Sequence, residues 1–288
     1  MIIDIIYAFV LGIVEGITEW LPISSTAHII LIEKLFYSSK TPPSFSAEFL
    51  LMFDVLVQLG AIFAVIIIYF KKLYPFKYND NEYTKKDKIS IWWKVILSTI
   101  PVAVVGFFFD DWITLKFYNL KIIAIALIFY GIIFILIENK KKNYSIINVK
   151  SITGKHAISI GIFQILALIP GTSRSGITII GGSLIGCDRK SSTEYSFYLS
   201  IPIMFGASIY KLLKYVFTFK IIAKEVIILV IAMLVALLVS LIIIKKLLNY
   251  IKKHSFKVFG IYRILIGIII LIICFLERIW WCEKRLFI

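Results

Sequence analysis

The fold depends on the stretch EGITEWLPISSTAH, residues 15–28, which follows directly on the apolar segment Ile5 to Val14. This stretch holds two carboxylates, several hydroxyl groups, a proline and one of only three histidines in the chain. Ionisable residues at membrane depth are rare and by default mark functional sites. Lipid-facing packing does not account for so many polar groups, so we expect chemistry here, and Pro22 predicts a break in the helix.

The composition of the whole chain explains why such a break matters. The 288 residues are 60% hydrophobic, the mean hydropathy is +0.93, and apolar runs of near-spanning length recur throughout. A run of about 20 apolar residues spans a bilayer as a helix. The sequence therefore predicts an all-α polytopic membrane protein, folded as a single membrane domain over residues 1–288, and excludes a soluble domain.

Six apolar segments are long enough to cross the membrane. They are Phe49 to Phe70, Trp92 to Phe109, Ile122 to Ile137, Tyr195 to Leu213, Val226 to Ile244 and Val258 to Leu276. Two further segments, Ile5 to Val14 and Ile158 to Ile169, are too short to cross, and each runs into a proline and a hydroxyl cluster. Apolar segments of about 10 to 14 residues are typical of re-entrant structure. We therefore expect two re-entrant helical hairpins around a polar interior cavity.

Lysines in the loops account for the net charge of +15. They cluster after the first, third and fifth crossings, at Lys71, Lys72, Lys77, Lys85, Lys86 and Lys88, at Lys140, Lys141, Lys142, Lys150 and Lys155, and at Lys245, Lys246, Lys252, Lys253 and Lys257. The positive-inside rule makes these loops cytoplasmic, although the opposite loops also carry Lys116, Lys121, Lys220 and Lys224. A nucleic-acid-binding protein would cluster its basic residues on one face, so we expect no nucleic-acid partner.

An internal repeat relates the two halves of the chain, about residues 1–142 and 150–288. The segment GIVE at residues 12–15, followed by Pro22 and Ser24, parallels GIFQ at residues 161–164, followed by Pro170 and Ser173. The separations from Glu48 to Gly60 and from Glu194 to Gly206 are both twelve residues (60 − 48 and 206 − 194). Each half then has one hairpin and three crossings, and an odd number of crossings inverts the second half. Inverted repeats place their site at the repeat interface, so the two broken segments should meet there.

The first broken segment carries a pair of carboxylates. Glu15 and Glu19 are four residues apart and share one helix face, and the break at Pro22 turns the hydroxyl groups that follow inward. Those hydroxyl groups belong to Ser24, Ser25 and Thr26. The alternative is a pair of carboxylates that are solvated at a membrane edge or paired with lysines. The break and the hydroxyl cluster directly after them favour a site.

The second broken segment, PGTSRSGIT at residues 170–178, has the pattern of an anion-binding turn. Glycine lets the backbone approach a ligand, the N–H groups of a helix N-terminus attract negative charge, and a guanidinium grips phosphate oxygens through a fixed fork of donors. The candidate ligand-binding residues are Gly171, Ser173, Arg174, Ser175 and Thr178. The alternative is a turn whose small residues serve close helix packing.

Together the two segments indicate a phosphate ligand and a cation. Two carboxylates would repel a phosphate unless a proton or a divalent cation, Mg²⁺ or Ca²⁺, intervenes, and Glu15 or Glu19 would bind that cation. Ser25 could attack phosphorus while His28 gives a proton to the leaving oxygen, or a carboxylate could activate water. The residues alone leave both mechanisms open.

These motifs resemble those of the undecaprenyl-diphosphate phosphatase family, the bacitracin-resistance proteins. The resemblance rests on EG-x-TE-x-LP-x-SST-x-H at residues 15–28 and PG-x-SRSG-x-T at residues 170–178. Supporting stretches are FDVLVQLG at residues 53–60, EYSF at residues 194–197 with Pro202, and IYR at residues 261–263. The resemblance covers nearly the whole chain, and the motifs follow one another in the same order as in the family. Ala27, Ile177 and Asp54 depart from the glycine, alanine and glutamate that are usual in the family.

The resemblance implies hydrolysis of undecaprenyl diphosphate to the monophosphate carrier lipid and inorganic phosphate in the bacterial cytoplasmic (inner) membrane. This reaction sustains peptidoglycan synthesis and gives tolerance to bacitracin. The resemblance also implies a divalent-cation requirement, an acidic pair at Glu15 and Glu19, nucleophile and acid candidates at Ser25 and His28, and a diphosphate clamp at Arg174 with Ser173. A homodimer is one assembly that the sequence allows.

Two other classes of membrane protein compete with this interpretation. Inverted repeats with broken helices are typical of alternating-access carriers, so a transporter of a phosphorylated lipid or anion is the main alternative. The type-2 phosphatidic acid phosphatases need a Ser-Gly-His motif, which the segment from Ser25 to His28 does not match.

Overall fold

The computed structural model describes residues 1–39, 42–76, 82–140 and 144–286, with side chains as far as residue 276. Lys77, Lys141 and Lys142, on which the loop-charge interpretation partly rests, lie outside these residues. The helices are α1 (Ile2–Thr18), α2 (Ser25–Tyr37), α3 (Ala47–Leu73), α4 (Lys85–Phe117), α5 (Leu120–Asn139), α6 (Gly154–Ile165), α7 (Arg174–Leu184), α8 (Arg189–Val216), α9 (Ala223–Ile251) and α10 (Lys257–Leu286). Two 3₁₀ turns flank α6, at Val149–Ser151 and Leu166–Leu168. The predicted all-α fold is confirmed.

Among the described residues, six helices are long and apolar enough to cross a membrane: α3, α4, α5, α8, α9 and α10. They contain the six segments predicted from the sequence, and that prediction is confirmed. Most extend past the apolar run because a polar side chain caps the first turn, as Ser46 does for α3, Thr84 for α4 and Asp188 for α8.

Two pairs of short helices precede the two sets of long ones. The first pair is α1 with α2, and the second is α6 with α7; α2 has 13 residues and α7 has 11. The order of one hairpin followed by three long helices thus occurs twice. The re-entrant placement of the hairpins and the inverted relation of the halves stay predictions.

Each hairpin packs against a long helix from the other half of the chain. Helix α1 lies along α9, and α6 lies along α4, while α3 and α8 pack on each other, as do α5 and α10. Glycine permits this backbone approach, since a methyl group at Gly12 would lie 2.6 Å from the Ala232 carbonyl oxygen and one at Gly161 would lie 2.5 Å from that of Ser98. These contacts bring the two helix breaks together in the interior.

Candidate active site

The turn before α2 and the turn before α7 share an unusual backbone conformation. Ser24 (φ 76°) and Ser173 (φ 71°) are the non-glycine residues with positive φ among those that the structure describes. Each caps the helix that follows, because its hydroxyl oxygen accepts a hydrogen bond from the N–H of Ala27 or of Gly176. Such a conformation costs about 1–3 kcal/mol per residue and is found mainly at functional sites.

The fully buried guanidinium of Arg263, on α10, holds the two turns together. It donates hydrogen bonds to the carbonyl oxygens of Pro22 (3.1 Å), Gly171 (2.8 Å) and Thr172 (2.9 Å). These carbonyls belong to the two breaks, where helical hydrogen bonding is interrupted. Arg263 therefore satisfies backbone groups from both hairpins and fixes their separation.

The carboxylate of Glu19 lies where the turns meet. Its Oε2 accepts a hydrogen bond of 2.7 Å from the Ser25 hydroxyl, and its Oε1 accepts one of 2.7 Å from Nη2 of Arg174. Glu19 is only 6% exposed, so little water screens these contacts. A carboxylate that accepts a hydroxyl proton beside a guanidinium can activate that hydroxyl as a nucleophile.

The guanidinium of Arg174 is fixed by a second contact. Its Nη1 donates to the carbonyl oxygen of Ser196 on α8 (2.8 Å), and its buried Nε has no hydrogen-bond partner. An arginine held in this way presents a rigid set of donors to a phosphate. The structure thus places the guanidinium of the predicted anion clamp beside Glu19, and its binding of an anion stays a prediction.

Glu15 lies one turn before Glu19 on α1, where its carbonyl oxygen accepts the Glu19 N–H at 3.0 Å. Its side chain is fully buried, and neither carboxylate oxygen has a hydrogen-bond partner. An unpaired carboxylate is costly to bury and calls for a proton or a cation. The described residues form no cluster of three or more His, Cys, Asp and Glu side chains that could hold a metal. Mg²⁺, however, is commonly bound by one or two carboxylates together with water and substrate phosphates. Glu15 and Glu19 would supply the carboxylates of such a site.

A cavity of about 180 Å³ opens at this junction. Seven of the residues predicted from the sequence line it: Glu19, Ser24, Ser25, Thr26, Gly171, Ser173 and Arg174. Gln58 and Gln164 add amide groups to its wall. The two hairpins, which are remote in sequence, thus contribute to one polar cavity.

Ser175 and Thr178 lie behind this wall. The Ser175 hydroxyl donates to the backbone carbonyl of Glu19 at 3.0 Å, and the Thr178 hydroxyl contacts that of Ser196 at 2.7 Å. Neither residue lines the cavity. Their hydroxyl groups join α7 to its neighbours.

His28 points away from the cavity, towards α10. Its Nδ1 lies 2.7 Å from the Ser24 carbonyl oxygen and its Nε2 lies 2.8 Å from the Tyr262 hydroxyl, with the two rings stacked. Since a carbonyl only accepts, Nδ1 carries a proton, and in the neutral imidazole Nε2 then accepts from the Tyr262 hydroxyl. Both ring nitrogens are thus occupied, and His28 braces the turn at Ser24.

Several residues around the site carry no role in the sequence interpretation. Gln58, Gln164, Tyr262 and Arg263 belong to stretches that carry the repeat or the family resemblance, and a charged residue such as Arg263 within a membrane segment is itself a signal. Asp54, on α3, lines a second cavity of about 180 Å³ that shares Thr26, Gln58 and Pro170 with the first. This second cavity also reaches Asp110, Thr114 and Lys211, and forms a polar outlet from the site.

The fold and the site define a polytopic helical membrane protein with a polar cavity between two helix breaks. A sequence model of the bacitracin resistance protein BacA matches residues 8–269, and the chain belongs to this family.

Similar proteins come from several bacteria. The undecaprenyl-diphosphatase of Acetivibrio thermocellus is 50% identical over 272 residues, which cover 94% of this chain and 97% of that protein. That of Enterococcus faecalis is 49% identical over 269 residues (92% and 95%), and that of Desulfitobacterium hafniense is 49% identical over 274 residues (94% and 96%). The family expected from the motifs is confirmed.

Proposed function

We propose that this protein hydrolyses undecaprenyl diphosphate to undecaprenyl phosphate and inorganic phosphate. The observation that carries the proposal is the position of the Glu19 carboxylate, which contacts the Ser25 hydroxyl and the Arg174 guanidinium on the wall of one cavity. The names of the relatives support the same substrate. A cavity between hydrophobic helices suits a diphosphate whose lipid tail stays in the membrane.

In the first step, Ser25 Oγ attacks the terminal phosphorus while its proton passes to Glu19. The bond from that phosphorus to the bridging oxygen breaks, and undecaprenyl phosphate leaves. The leaving group is a phosphate, whose last pKa is about 6, so its departure needs little help from a general acid. This chemistry is compatible with an orientation of His28 away from the cavity.

In the second step, water attacks the phosphorus of the phosphoserine, the bond from phosphorus to Ser25 Oγ breaks, and the proton that Glu19 took up returns to Oγ. The Ser25 hydroxyl is restored and inorganic phosphate is released. Arg174 stabilises the negative charge on the transferring phosphoryl group in both steps, with the Ser24 and Ser173 turns beside it. Thr26 and Gly171 shape the pocket around the headgroup.

Glu15 and Glu19 are the residues that would bind a divalent cation, Mg²⁺ or Ca²⁺. When bound, the cation would offset the charge of the carboxylates and of the substrate phosphates. The support for this proposal is the pair of unpartnered Glu15 oxygens in the interior.

We also propose that the site opens to the outer face of the bacterial inner membrane. Helix α4 begins beside the lysine-rich loop that the positive-inside rule makes cytoplasmic. The polar outlet is lined by Asp110, Thr114 and Tyr118, near the other end of α4. A homodimer stays a prediction.

Phosphate release from undecaprenyl diphosphate by the purified protein in detergent with Mg²⁺ or Ca²⁺ tests the function. We expect turnover by the wild type, ³²P-labelled phosphoserine trapped by acid quench, and neither in Ser25→Ala. Ser159→Ala, which removes a hydroxyl outside the cavity, is the matched control. Substantial turnover in Ser25→Ala would favour activated water, whereas movement of labelled anion into liposomes without hydrolysis would favour the transporter.

A further inference from the structure

An apolar groove of about 320 Å³ runs between α4 and α8. Its walls include Ala103, Gly106 and Phe107 from α4, and Ile203, Gly206 and Tyr210 from α8. Phe107 is 67% exposed, so this wall of the groove is accessible from outside the bundle. Asp110 and Lys211 also line the groove and form an ion pair whose charged atoms lie 2.6 Å apart.

The two glycines of the groove are not required for helix packing. A methyl group at Gly206 would meet no atom within 4 Å, and one at Gly106 would lie 3.5 Å from the Leu168 side chain, an ordinary contact. Gly60 occupies the matching position on α3, twelve residues after Glu48 (60 − 48) as Gly206 is after Glu194 (206 − 194). A methyl group at Gly60 would overlap the Met233 carbonyl of α9. Helices α3 and α9 are therefore in close contact at Gly60, whereas α8 and α4 leave free space at Gly206.

The groove is continuous with the catalytic cavity. Four residues line both spaces: Val102, Leu168, Ile203 and Ala207. The cavity thus adjoins both the polar outlet and the apolar groove, which share Asp110, Leu168 and Lys211. A diphosphate joined to a long hydrocarbon chain needs both surroundings at once, because burying the chain against apolar walls is favourable and burying the phosphates there is not.

We infer that the groove between α4 and α8 binds the first isoprene units of the lipid substrate and directs the rest of the chain into the bilayer, with Gly106 and Gly206 keeping it open. This inference rests on the proposed function and adds the route of the lipid to it. Glycine at both positions leaves space that larger side chains would fill.

The test compares substrates of different chain length in a variant with a filled groove. Gly206→Trp and Ala103→Phe fill it from opposite walls, and the open space at Gly206 lets the first variant fold. We expect each to lower kcat/KM for undecaprenyl and farnesyl diphosphate at least about tenfold, the effect of excluding two or more buried methylene groups. Methyl diphosphate, which carries no isoprene unit, should change by less than about twofold, since it buries no hydrocarbon chain in the groove.

Ile209→Trp is the matched control, because Ile209 is exposed on α8 outside the groove. It should leave the dependence on chain length as in the wild type. Equal losses for all chain lengths, or no loss for the undecaprenyl substrate in both groove variants, would overturn the inference and leave bilayer lipid as the occupant. A wild type that hydrolyses none of these substrates would instead refute the proposed function.

Discussion

The guanidinium of Arg174 and the carboxylate of Glu19 lie 2.7 Å apart, although 155 residues separate them in sequence. The contact joins the turn of the first hairpin to the start of α7 in the second hairpin, and the Ser25 hydroxyl donates a hydrogen bond to the other carboxylate oxygen of Glu19. Positive and negative charges therefore compensate each other in the pocket. A diphosphate has to compete with Glu19 for Arg174, and that exchange would free the carboxylate to accept the Ser25 proton.

Removal of either partner of this pair should nearly abolish hydrolysis. For Arg174→Ala we expect a loss in kcat of about 10²–10³-fold or more, because the transferring phosphoryl group loses its main donor. Glu19→Gln should lose a similar factor, since an amide does not accept the Ser25 proton. Turnover of purified variants, normalised to folded protein, measures the effect. Lys214→Ala is the control: it breaks the exposed Lys214–Asp111 ion pair outside the cavity and should leave kcat within about threefold. Near-normal turnover in either site variant would remove that residue from the catalytic core.

Loss of the Glu15 carboxylate should weaken binding of the divalent cation. A chelator should stop wild-type turnover, and Mg²⁺ or Ca²⁺ should restore it. In Glu15→Gln we expect the cation concentration for half-maximal activity to rise about tenfold or more, as when one contributor to a metal site is lost. The unfolding temperature gives a second measurement, since a bound cation should stabilise the wild type and much less the variant. Equal stabilisation of both proteins by the cation would place its site elsewhere.

His28 should act by positioning the turn at Ser24 and not as a general acid. We expect His28→Ala to lower kcat about tenfold while both limbs of the pH–rate profile stay in place, because a lost general acid would remove one limb. Tyr262→Phe should show part of the same loss, since its hydroxyl orients the ring at 2.8 Å. A profile that loses its basic limb in His28→Ala would instead assign the proton to this residue.

Arg263 should matter mainly for stability. Arg263→Ala leaves three carbonyl oxygens without a donor, and each unsatisfied buried group costs about 1–3 kcal/mol. Arg263→Lys keeps the charge but lacks the planar fork that reaches both turns. We expect a large fall in unfolding temperature for alanine, a smaller one for lysine, and reduced activity in both. Unchanged unfolding temperatures would show that other contacts hold the turns together.

The sequence predicts the parts of this site that lie within one short segment. The polar stretches at residues 15–28 and 170–178 stand out because their surroundings are apolar, and Glu19, Ser25 and Arg174 meet in the cavity as expected. The role of Arg263 is harder to predict, because its partners are 241 and 92 residues away and depend on how α10 packs. The direction of His28 is likewise set by Tyr262, 234 residues away.

The groove between α4 and α8 is a second feature that the sequence does not predict. Gly60 and Gly206 each lie twelve residues after a glutamate, so the repeat predicts the same surroundings for both. One sits at a tight contact with α9 and the other faces open space. Only the packing of α4 and α8 distinguishes them, because glycine spacing does not reveal how far apart two helices lie.

The proposed outward opening predicts a sided pattern of cysteine labelling. In intact cells, Thr114→Cys and Thr26→Cys should react with a membrane-impermeant maleimide, since both positions line the polar outlet, and a diphosphate substrate should protect Thr26→Cys. Lys155→Cys, in the first turn of α6, should react only in inverted vesicles, because it belongs to a lysine cluster that the positive-inside rule makes cytoplasmic. The native Cys187 should stay silent, because burial raises the pKa of its thiol to about 12 and leaves almost no thiolate at pH 8. Cys274 and Cys282 are replaced by serine in all variants. Labelling of Thr114→Cys only from the cytoplasmic side would reverse the proposed orientation.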